Sequence, residues 1–376
     1  MGGFFRIRDG GFIGTHSFAE HFPRTTALLD QARGQVFPDY SVGLICLKSE
    51  DREKKIPTGT FLHSAECGAD SMFDLASLTK VLCTTTLCVV AEKKKKLTLT
   101  EPIQTFFPDF PSNKVTVSHL LNHSSGLLAH LDLHADFHAP DGLGDFDAFS
   151  SPILARVKYE EKIIATWRPD LFEKECVYSD FGFMLLGWML EQIGQMPLDA
   201  LFQEWVAQPA GISELQFLPI TPNVLPTEDC PWRGRVLRGE VHDDNCYVLG
   251  GVAGHAGLFG TTRAVLALAK IWLLGEKPLQ KKLIQKYWNT THVVGSSRVL
   301  GWDGISQESS TGRYFSKNSR GHLGFTGTSL WIDPDRELIV TLLTNRVHPT
   351  RRNDSIKKFR PEFHDSLMHE LGFARP

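Results

Sequence analysis

Apolar residues form short blocks near both ends of the chain and recur at helical spacing between them. Residues 42–47 are mostly apolar after a polar lead-in, which predicts a buried strand, and residues 59–62 predict the start of a returning strand. Residues 329–332 and 337–343 predict two more strands, because the turn signal Asp333-Pro334-Asp335 lies between them. The strands are therefore expected at the two ends of the chain.

Helical periodicity marks the rest of the chain. It predicts helices over residues 74–92, 180–195 and 262–274, and shorter helices over residues 197–206 and 362–371. Strands at both ends with helices between them indicate one antiparallel sheet built by both chain ends and flanked by helices. This is an α+β fold with an inserted, mainly helical region, rather than a series of alternating βαβ units.

The length and the order of these elements predict a single domain over residues 1–376. Its α/β part is expected at about residues 30–100 and 255–376, and its helical part at about residues 101–254.

Composition and charge narrow the class of protein. The net charge of −3 gives no sign of the basic face that a nucleic-acid-binding protein needs. No apolar run reaches the roughly 20 residues that span a membrane, and no signal-peptide pattern is visible at the start of the sequence. The seven cysteines are odd in number and include no Cys-x-x-Cys pair, which indicates free thiols in a reducing compartment. We therefore expect the cytoplasm, or the periplasm if a signal has been removed.

The first candidate for chemistry is Ser77-Leu78-Thr79-Lys80, at the start of a predicted helix. Residues three apart share a helix face, so Lys80 is expected to contact Ser77. A serine hydroxyl needs a nearby base to act as a nucleophile, and a lysine held away from water can lose its proton near neutral pH. Taken alone, the pattern is common by chance, and a serine at a helix start is often only a cap.

Two further segments carry candidate residues. Tyr178-Ser179-Asp180 precedes an amphipathic helix, and a tyrosine beside a cationic lysine can have a lowered pKa and shuttle a proton. Residues 321–329 are glycine-rich and run into a strand, where the N–H groups of Phe325 and Ser77 would together hold an oxyanion. The alternatives are a buried core tyrosine with Asp180 as a helix cap, and a simple glycine-rich hairpin.

In this order, the three segments resemble those of the serine β-lactamase and penicillin-binding-protein family, and in particular its class C β-lactamase-type branch. The resemblance extends over about residues 40–350 and includes residues 119–127, 249–259 and 343–346. It implies that Ser77 is acylated, that Lys80 and Tyr178 relay protons, and that residues 322–324 stand where Lys-Thr-Gly usually lies.

Two departures from the family pattern bear on the substrate. Asp180 stands where the second motif usually ends in Asn, and His322 stands where the third usually begins with Lys. A histidine is only partly charged at neutral pH and an aspartate repels an anion, so strong recognition of a penicillin-type carboxylate is not expected. The two changes favour an internal amide, an ester or a substrate amine near Asp180. The alternative is that His322 and Asp180 pair with each other across the cleft.

Residues 241–245 and 250–259 resemble a sub-branch that acts on peptidoglycan fragments, with muramoyl-L-alanine amidases and a D-alanyl-D-alanine carboxypeptidase among its members. This resemblance implies a serine hydrolase that cleaves an amide in cell-wall-derived peptides, with Asp180, His322, Gly324 and His255 contacting the substrate. An esterase or β-lactamase of the same fold, and a non-catalytic binding protein, are the alternatives. The expected partner is a small molecule or peptide; the oligomeric state is not predicted.

A metallohydrolase is the rival from another class. His130, His134 and His138 recur every four residues, a spacing that ligates zinc on a helix. However, the segment is loop-like around residues 139–142 and contains no His-Glu-x-x-His motif. We therefore expect neither a metal nor another cofactor.

Overall fold

The computed structural model describes residues 14–48, 57–137, 152–306 and 309–373. The strands are β1 (Thr15–Ser17), β2 (Tyr40–Cys46), β3 (Gly59–Ser64), β4 (Phe73–Asp74), β5 (Leu215–Phe217), β6 (Asp229–Cys230), β7 (Arg235–Val236), β8 (Leu258–Gly260), β9 (Asp303–Gly304), β10 (Arg320–Leu323), β11 (Ser329–Asp333) and β12 (Leu338–Thr344).

The α-helices are α1 (Phe18–His21), α2 (Pro23–Ala32), α3 (Thr86–Lys93), α4 (Val117–Leu121), α5 (Pro152–Ala165), α6 (Asp180–Gly194), α7 (Leu198–Phe202), α8 (Gln208–Ala210), α9 (Asp244–Val248), α10 (Thr262–Leu274), α11 (Lys281–Asn289) and α12 (Ile356–Glu370). Two π-helical segments, Lys80–Thr85 and Gln203–Ala207, lead into α3 and α8. Two 3₁₀ segments lie at Ile103–Thr105 and Leu133–Asp136. No helix in these described ranges has the length and apolar character needed to cross a membrane.

One large sheet joins the two ends of the chain, in the order β1-β3-β2-β12-β11-β10-β9. Strand β2 pairs antiparallel with β12, so an early strand and a late strand lie side by side at the centre. This pairing and the helices around the sheet confirm the predicted α+β fold. The predicted strands at 42–47, 59–62, 329–332 and 337–343 correspond to β2, β3, β11 and β12. Strand β1, which was not predicted, pairs with β3 in parallel.

Alternation along the strands places apolar side chains on both faces of this sheet. In β12, Leu338, Val340 and Leu342 pack into one apolar cluster, which includes residues of α2 and α12. Ile339 and Leu343 pack into the other cluster, which includes residues of α10 and the helical region. The sheet is therefore covered by helices on both sides, and its core strands are buried throughout.

The predicted helix over 74–92 begins later than expected. Residues Phe73–Asp74 form β4, and the π-helical segment Lys80–Thr85 precedes α3. The reason is local: Ala76 has φ of 46°, which is outside the helical region, and its N–H donates to the Asp74 carboxylate at 2.8 Å. These features form a tight turn directly before the helix. By contrast, the predicted helix over 262–274 coincides with α10.

Close backbone packing connects the helical region to the residues around Lys80. A Cβ atom on Gly187, in α6, would lie 2.9 Å from the backbone nitrogen of Gly254. The carbonyl of Gly254 accepts a hydrogen bond from Thr84 Oγ1 at 2.6 Å, and the next carbonyl, that of His255, accepts one from Lys80 Nζ at 3.1 Å. The contact between Gly187 and Gly254 thus holds a carbonyl against the lysine.

We expect Gly187→Ala to destabilise the protein by about 1–3 kcal/mol, because the added methyl group forces α6 away from Gly254. Gly182→Ala is the matched control in the same helix, since its Cβ would meet its nearest neighbour at an ordinary 3.5 Å. This control should be neutral or gain up to about 1 kcal/mol, because alanine is favoured over glycine in a helix. Urea unfolding of both variants makes the comparison; equal effects would contradict the packing described.

Candidate active site

A cleft of about 590 Å³ contains most of the residues that the sequence singled out. The predicted site residues that line it are Ser77, Tyr178, Asp180, His322, Gly324 and Phe325. Three elements bring them together: the turn before the π-helical segment Lys80–Thr85, the start of α6, and the loop that follows β10. Residues separated by about 250 positions in sequence therefore share one cavity wall.

Ser77 follows a strained turn that is held in place by the buried carboxylate of Asp74. Its neighbour Ala76 occupies the left-handed region, which non-glycine residues adopt rarely and at some cost in energy. One oxygen of the buried Asp74 accepts the N–H of Ala76 at 2.8 Å, and the other accepts the N–H of His242 at 2.6 Å. Asp74 thus fixes the direction in which the turn presents Ser77 to the cleft.

Lys80 is completely buried, and its ammonium group has three acceptors. Lys80 Nζ lies 2.9 Å from Ser77 Oγ, 3.1 Å from the carbonyl of His255 and 2.7 Å from Asp180 Oδ1. Burial by itself lowers the pKa of Lys80, but the negative charge of Asp180 and the interaction with Tyr178 outweigh it, so the pKa lies above its ordinary value. The resting site therefore holds a protonated lysine rather than the neutral base suggested by the sequence.

Asp180 lies between two cations. Its Oδ1 contacts Lys80, and its Oδ2 lies 3.1 Å from Nδ1 of His130. Burial works to raise the pKa of Asp180, but the charge of Lys80 and the hydrogen bond from His130 hold it well below the usual range. The same hydrogen bond raises the pKa of His130 to about 9. Asp180 is thus paired with Lys80 and His130, and the alternative pairing with His322 across the cleft is wrong.

Tyr178 lies beside the nucleophile among aromatic rings and cations. Its ring centroid is 4.8 Å from that of His123, and Lys80 Nζ and Arg298 Cζ lie 5.0 and 4.9 Å from it. Burial raises the pKa of Tyr178 above its ordinary value, and the opposing influence of Lys80 is smaller. The lowered pKa expected from the sequence is therefore wrong for the resting site, where Tyr178 carries its proton.

His322, on β10, is a neutral side chain in this cleft. Its Nδ1 lies 2.8 Å from the carbonyl of Leu323, so Nδ1 carries the proton, and its buried Nε2 has no partner among the described residues. Burial lowers the pKa of His322 to about 4, with Lys80 and Arg298 adding to the effect. The position that usually carries a lysine is thus uncharged at neutral pH.

Two backbone N–H groups are free to bind a developing negative charge. Those of Ser77 and Phe325 have no acceptor within the described part of the chain. Thr326 Oγ1 donates to the carbonyl of Asp74 at 2.7 Å, and Thr328 Oγ1 donates to the carbonyl of Leu75 at 3.0 Å. These two hydrogen bonds connect the segment that carries Phe325 to the segment that carries Ser77. Gly324 is required there, because a Cβ atom would lie 2.0 Å from Thr328 Oγ1.

His255 lies behind the cleft rather than on its surface. The residue is 1% exposed, and its Nε2 lies 3.0 Å from Asp243 Oδ1. Because its carbonyl accepts from Lys80, the position of His255 suits support of the lysine better than the substrate contact expected from the sequence. Asp243 itself lines the cleft and caps α9 through the N–H of Cys246.

The histidines of the metal alternative are engaged elsewhere. His130 pairs with Asp180, the ring of His134 packs on Trp232 at 4.9 Å, and His138 lies outside the described residues. A separate group of three possible ligands consists of His119, Glu173 and His292.

That group is organised by hydrogen bonds. Nδ1 of His119 accepts the N–H of Thr116 at 3.0 Å, so the proton of the ring sits on Nε2 and is donated to Glu173 at 2.9 Å. A ligating Nε2 would have to lose this proton, so the group does not suit a metal ion.

Three residues around the cleft were not found from the sequence. Asp74 supports the serine turn, Arg298 packs on Tyr178 and pairs with Asp303 at 2.5 Å, and Arg360 lines the wall behind Gly324. Asp74 lies three residues before Ser77, so its closeness in sequence could have suggested that it supports the turn before the serine. The arginines follow no local pattern that points to this cleft.

Comparisons with known proteins agree with this geometry. A profile of the beta-lactamase family matches residues 25–362. N-acetylmuramyl-L-alanine amidase of Bacillus subtilis is 28% identical over 311 residues, which cover 74% of this chain and 68% of that protein. A Salmonella typhimurium protein named as a D-alanyl-D-alanine carboxypeptidase is 26% identical over 348 residues, which cover 83% of this chain and 78% of that protein.

Solved structures show the same fold at lower identity. A penicillin-binding protein homologue from Pyrococcus abyssi superposes with a TM-score of 0.67 at 17% identity, over 93% of this chain and 77% of its own. A D-stereospecific amidohydrolase from Streptomyces has a TM-score of 0.65 at 16% identity, over 93% of this chain and 98% of its own.

Asp180→Asn should lower the pKa of Lys80 by about one to three units, because it removes the neighbouring opposite charge. The titration is followed by NMR of protein labelled with ¹³C at lysine Cε, with the Lys80 signal assigned by its loss in Lys80→Met. Asp132→Asn is the matched control, since Asp132 contacts His130 at 3.3 Å and not Lys80. A Lys80 titration that is unchanged in Asp180→Asn would contradict the assigned ion pair.

Proposed function

The chain belongs to the beta-lactamase family, and on this premise we propose that it cleaves an amide bond in peptidoglycan-derived peptides through an acyl-enzyme on Ser77. As a member of this family it is a hydrolase. The observation that carries the proposal is the 2.9 Å contact between Ser77 Oγ and Lys80 Nζ at the wall of the cleft. A non-catalytic binding protein would have no need for a buried lysine held against an accessible serine.

In the acylation step, Ser77 Oγ attacks the carbonyl carbon and the carbonyl oxygen becomes an oxyanion, which accepts hydrogen bonds from the N–H groups of Ser77 and Phe325. The C–N bond then breaks and the serine ester forms. The hydrogen bonds of Thr326 and Thr328 to Asp74 and Leu75 hold the two segments that carry these donors together, which supports stabilisation without rearrangement at the moment of reaction.

The proton of Ser77 must pass to the leaving nitrogen. Because Asp180 holds Lys80 protonated, the reactive form is the minor one in which the coupled pair Lys80 and Tyr178 has lost one proton. Lys80 takes the serine proton, and Tyr178, which interacts with both Ser77 and Lys80, delivers a proton to the departing amine. Water then hydrolyses the ester by the reverse transfers and restores Ser77.

The cleft favours an internal amide over a bond beside a free carboxylate. His322 is neutral where the family usually has lysine, and Arg298, the arginine that packs on Tyr178, is already paired with Asp303. A C-terminal carboxylate next to the scissile bond would find weak compensation there. This supports an amidase activity of the kind named for the Bacillus subtilis relative over an activity of the carboxypeptidase kind.

The state of the cysteines supports the proposal that the protein works in a reducing compartment. All seven, Cys46, Cys67, Cys83, Cys88, Cys176, Cys230 and Cys246, are free thiols. Because disulfides are rare where thiols are kept reduced, this favours the cytoplasm as the place of the reaction.

The nucleophile is tested by intact-protein mass spectrometry after exposure to a fluorophosphonate. We expect one adduct on the wild type, mapped to Ser77, and none on Ser77→Ala, because the hydroxyl that attacks the probe is gone. Ser366→Ala, a remote serine substitution on α12, should be labelled like the wild type. An adduct that persists on Ser77→Ala would remove the proposed mechanism.

The substrate class is tested with two peptides: a muramoyl-L-alanyl peptide, cleaved at an internal amide, and a peptide ending in D-alanyl-D-alanine. The wild type should prefer the first peptide by about tenfold or more. An unpaired carboxylate near the site should lose about 1.4 kcal/mol or more of favourable interaction, and this free energy corresponds to a factor of ten. His322→Lys should shift the preference toward the second peptide by adding a positive charge, whereas the neutral control His322→Gln should not. Preference of the wild type for the second peptide would contradict the proposed amide specificity.

A further inference from the structure

An arginine without a counter-ion lies directly behind the segment that carries Phe325. Arg360, on α12, is 5% exposed, and its Nη2 donates to the carbonyls of Gly324 at 3.1 Å and Thr328 at 2.9 Å. In the described part of the chain no carboxylate pairs with it, and its buried Nε has no acceptor. Burial lowers the pKa of Arg360, and the nearby charge of Arg346 lowers it further.

The carbonyl that Arg360 binds belongs to a particular peptide group. The C=O of Gly324 and the N–H of Phe325 are the two ends of one planar amide. A charged donor on the oxygen draws electron density toward it and makes the N–H at the other end a stronger donor, as in a chain of cooperative hydrogen bonds. Arg360 therefore acts on the N–H of Phe325 through the carbonyl at the other end of the same peptide group.

The Gly324 carbonyl accepts from Arg360 Nη2 and also from the N–H of Gly327 at 3.1 Å, and these two contacts together fix the orientation of this amide. If the peptide group turned over, its oxygen would leave Arg360 and point toward the site of the oxyanion, and its N–H would be lost to the substrate. A second arginine restrains the next peptide group, because Arg346 Nε donates to the carbonyl of Phe325 at 2.8 Å. Two consecutive carbonyls, of Gly324 and Phe325, are thus each held by an arginine.

A purely structural role explains this arrangement poorly. Burying a guanidinium group without a carboxylate partner is costly even when some of its protons bond to carbonyls. An apolar side chain of similar size would fill the same space between α12 and the loop of Gly324 and Thr328 without that cost. The charge is explained if it acts on the Gly324–Phe325 amide.

We propose that Arg360 is a positioning residue for the oxyanion site, which holds and polarises the peptide group of Gly324 and Phe325 so that its N–H faces the reacting carbonyl oxygen. The inference rests on the proposed function, since it assigns this N–H to the transition state of the Ser77 reaction. Its effect should therefore appear in the rate of acylation rather than in substrate binding.

The test compares wild type, Arg360→Met and Arg360→Lys by the rate constant of fluorophosphonate labelling and by kcat and KM for p-nitrophenyl acetate. Arg360→Met should lower the labelling constant and kcat by about ten- to a hundredfold. This decrease should not exceed the decrease caused by removing a whole oxyanion donor. KM should change less than about twofold. Arg360→Lys keeps the positive charge but replaces the planar guanidinium by a compact, more strongly hydrated ammonium group, so we expect a smaller loss of the same kind.

Arg320→Met is the control for loss of a carbonyl-binding arginine, because Arg320 donates from Nε and Nη2 to the carbonyl of Trp288 at 3.1 and 2.8 Å. It should lower the melting temperature without a selective loss of acylation. Wild-type labelling constants in a folded Arg360 variant would overturn the inference, as would a rise in KM with kcat unchanged, or failure of both variants to fold. Absence of any Ser77 adduct on the wild type would instead overturn the proposed function.

Discussion

The contact between Lys80 and Asp180 constrains everything around the cleft. A lysine that is fully buried would lose its proton or destabilise the fold unless an opposite charge and further acceptors surround it. Asp180 at the start of α6 supplies the charge, and the carbonyl of His255 supplies an acceptor. The start of α6, the loop before β8 and the π-helical segment beginning at Lys80 must therefore meet at one point, and Ser77 is carried there with them.

Around that point the cleft has two sides that differ in their polar groups, which are charged side chains on one side and backbone N–H groups on the other. On one side three charged groups form a chain, His130, Asp180 and Lys80, in which a carboxylate lies between two cations. On the other side negative charge would be met by backbone N–H groups, and the hydroxyls of Thr326 and Thr328 tie that segment to the strand before Ser77. Ser77 is the only one of these residues that belongs to both sides, which is why a rigid turn at Ala76 matters.

The sequence predicts those parts of the site that local patterns encode. The spacing of Ser77 and Lys80, the Tyr178 segment and the glycine-rich run each follow from a few adjacent residues. The directions of the pKa shifts of Lys80 and Tyr178 were predicted wrongly, because they depend on neighbours such as Asp180 that come together only in three dimensions. The helix was placed too early because a positive φ at a non-glycine residue leaves no mark in the pattern of apolar positions.

The departures at Asp180 and His322 have different electrical effects. The negative charge of Asp180 is compensated, because Asp180 contacts Lys80 and its hydrogen bond raises the pKa of His130 to about 9. His322 is buried and neutral where the family usually has lysine, so a positive charge is missing from the cleft wall and nothing replaces it at that position. The departure at Asp180 therefore bears on how Lys80 holds its proton. The departure at His322 bears on the substrate, because a carboxylate facing His322 would meet no charge there, whereas an amide has no charge to pair.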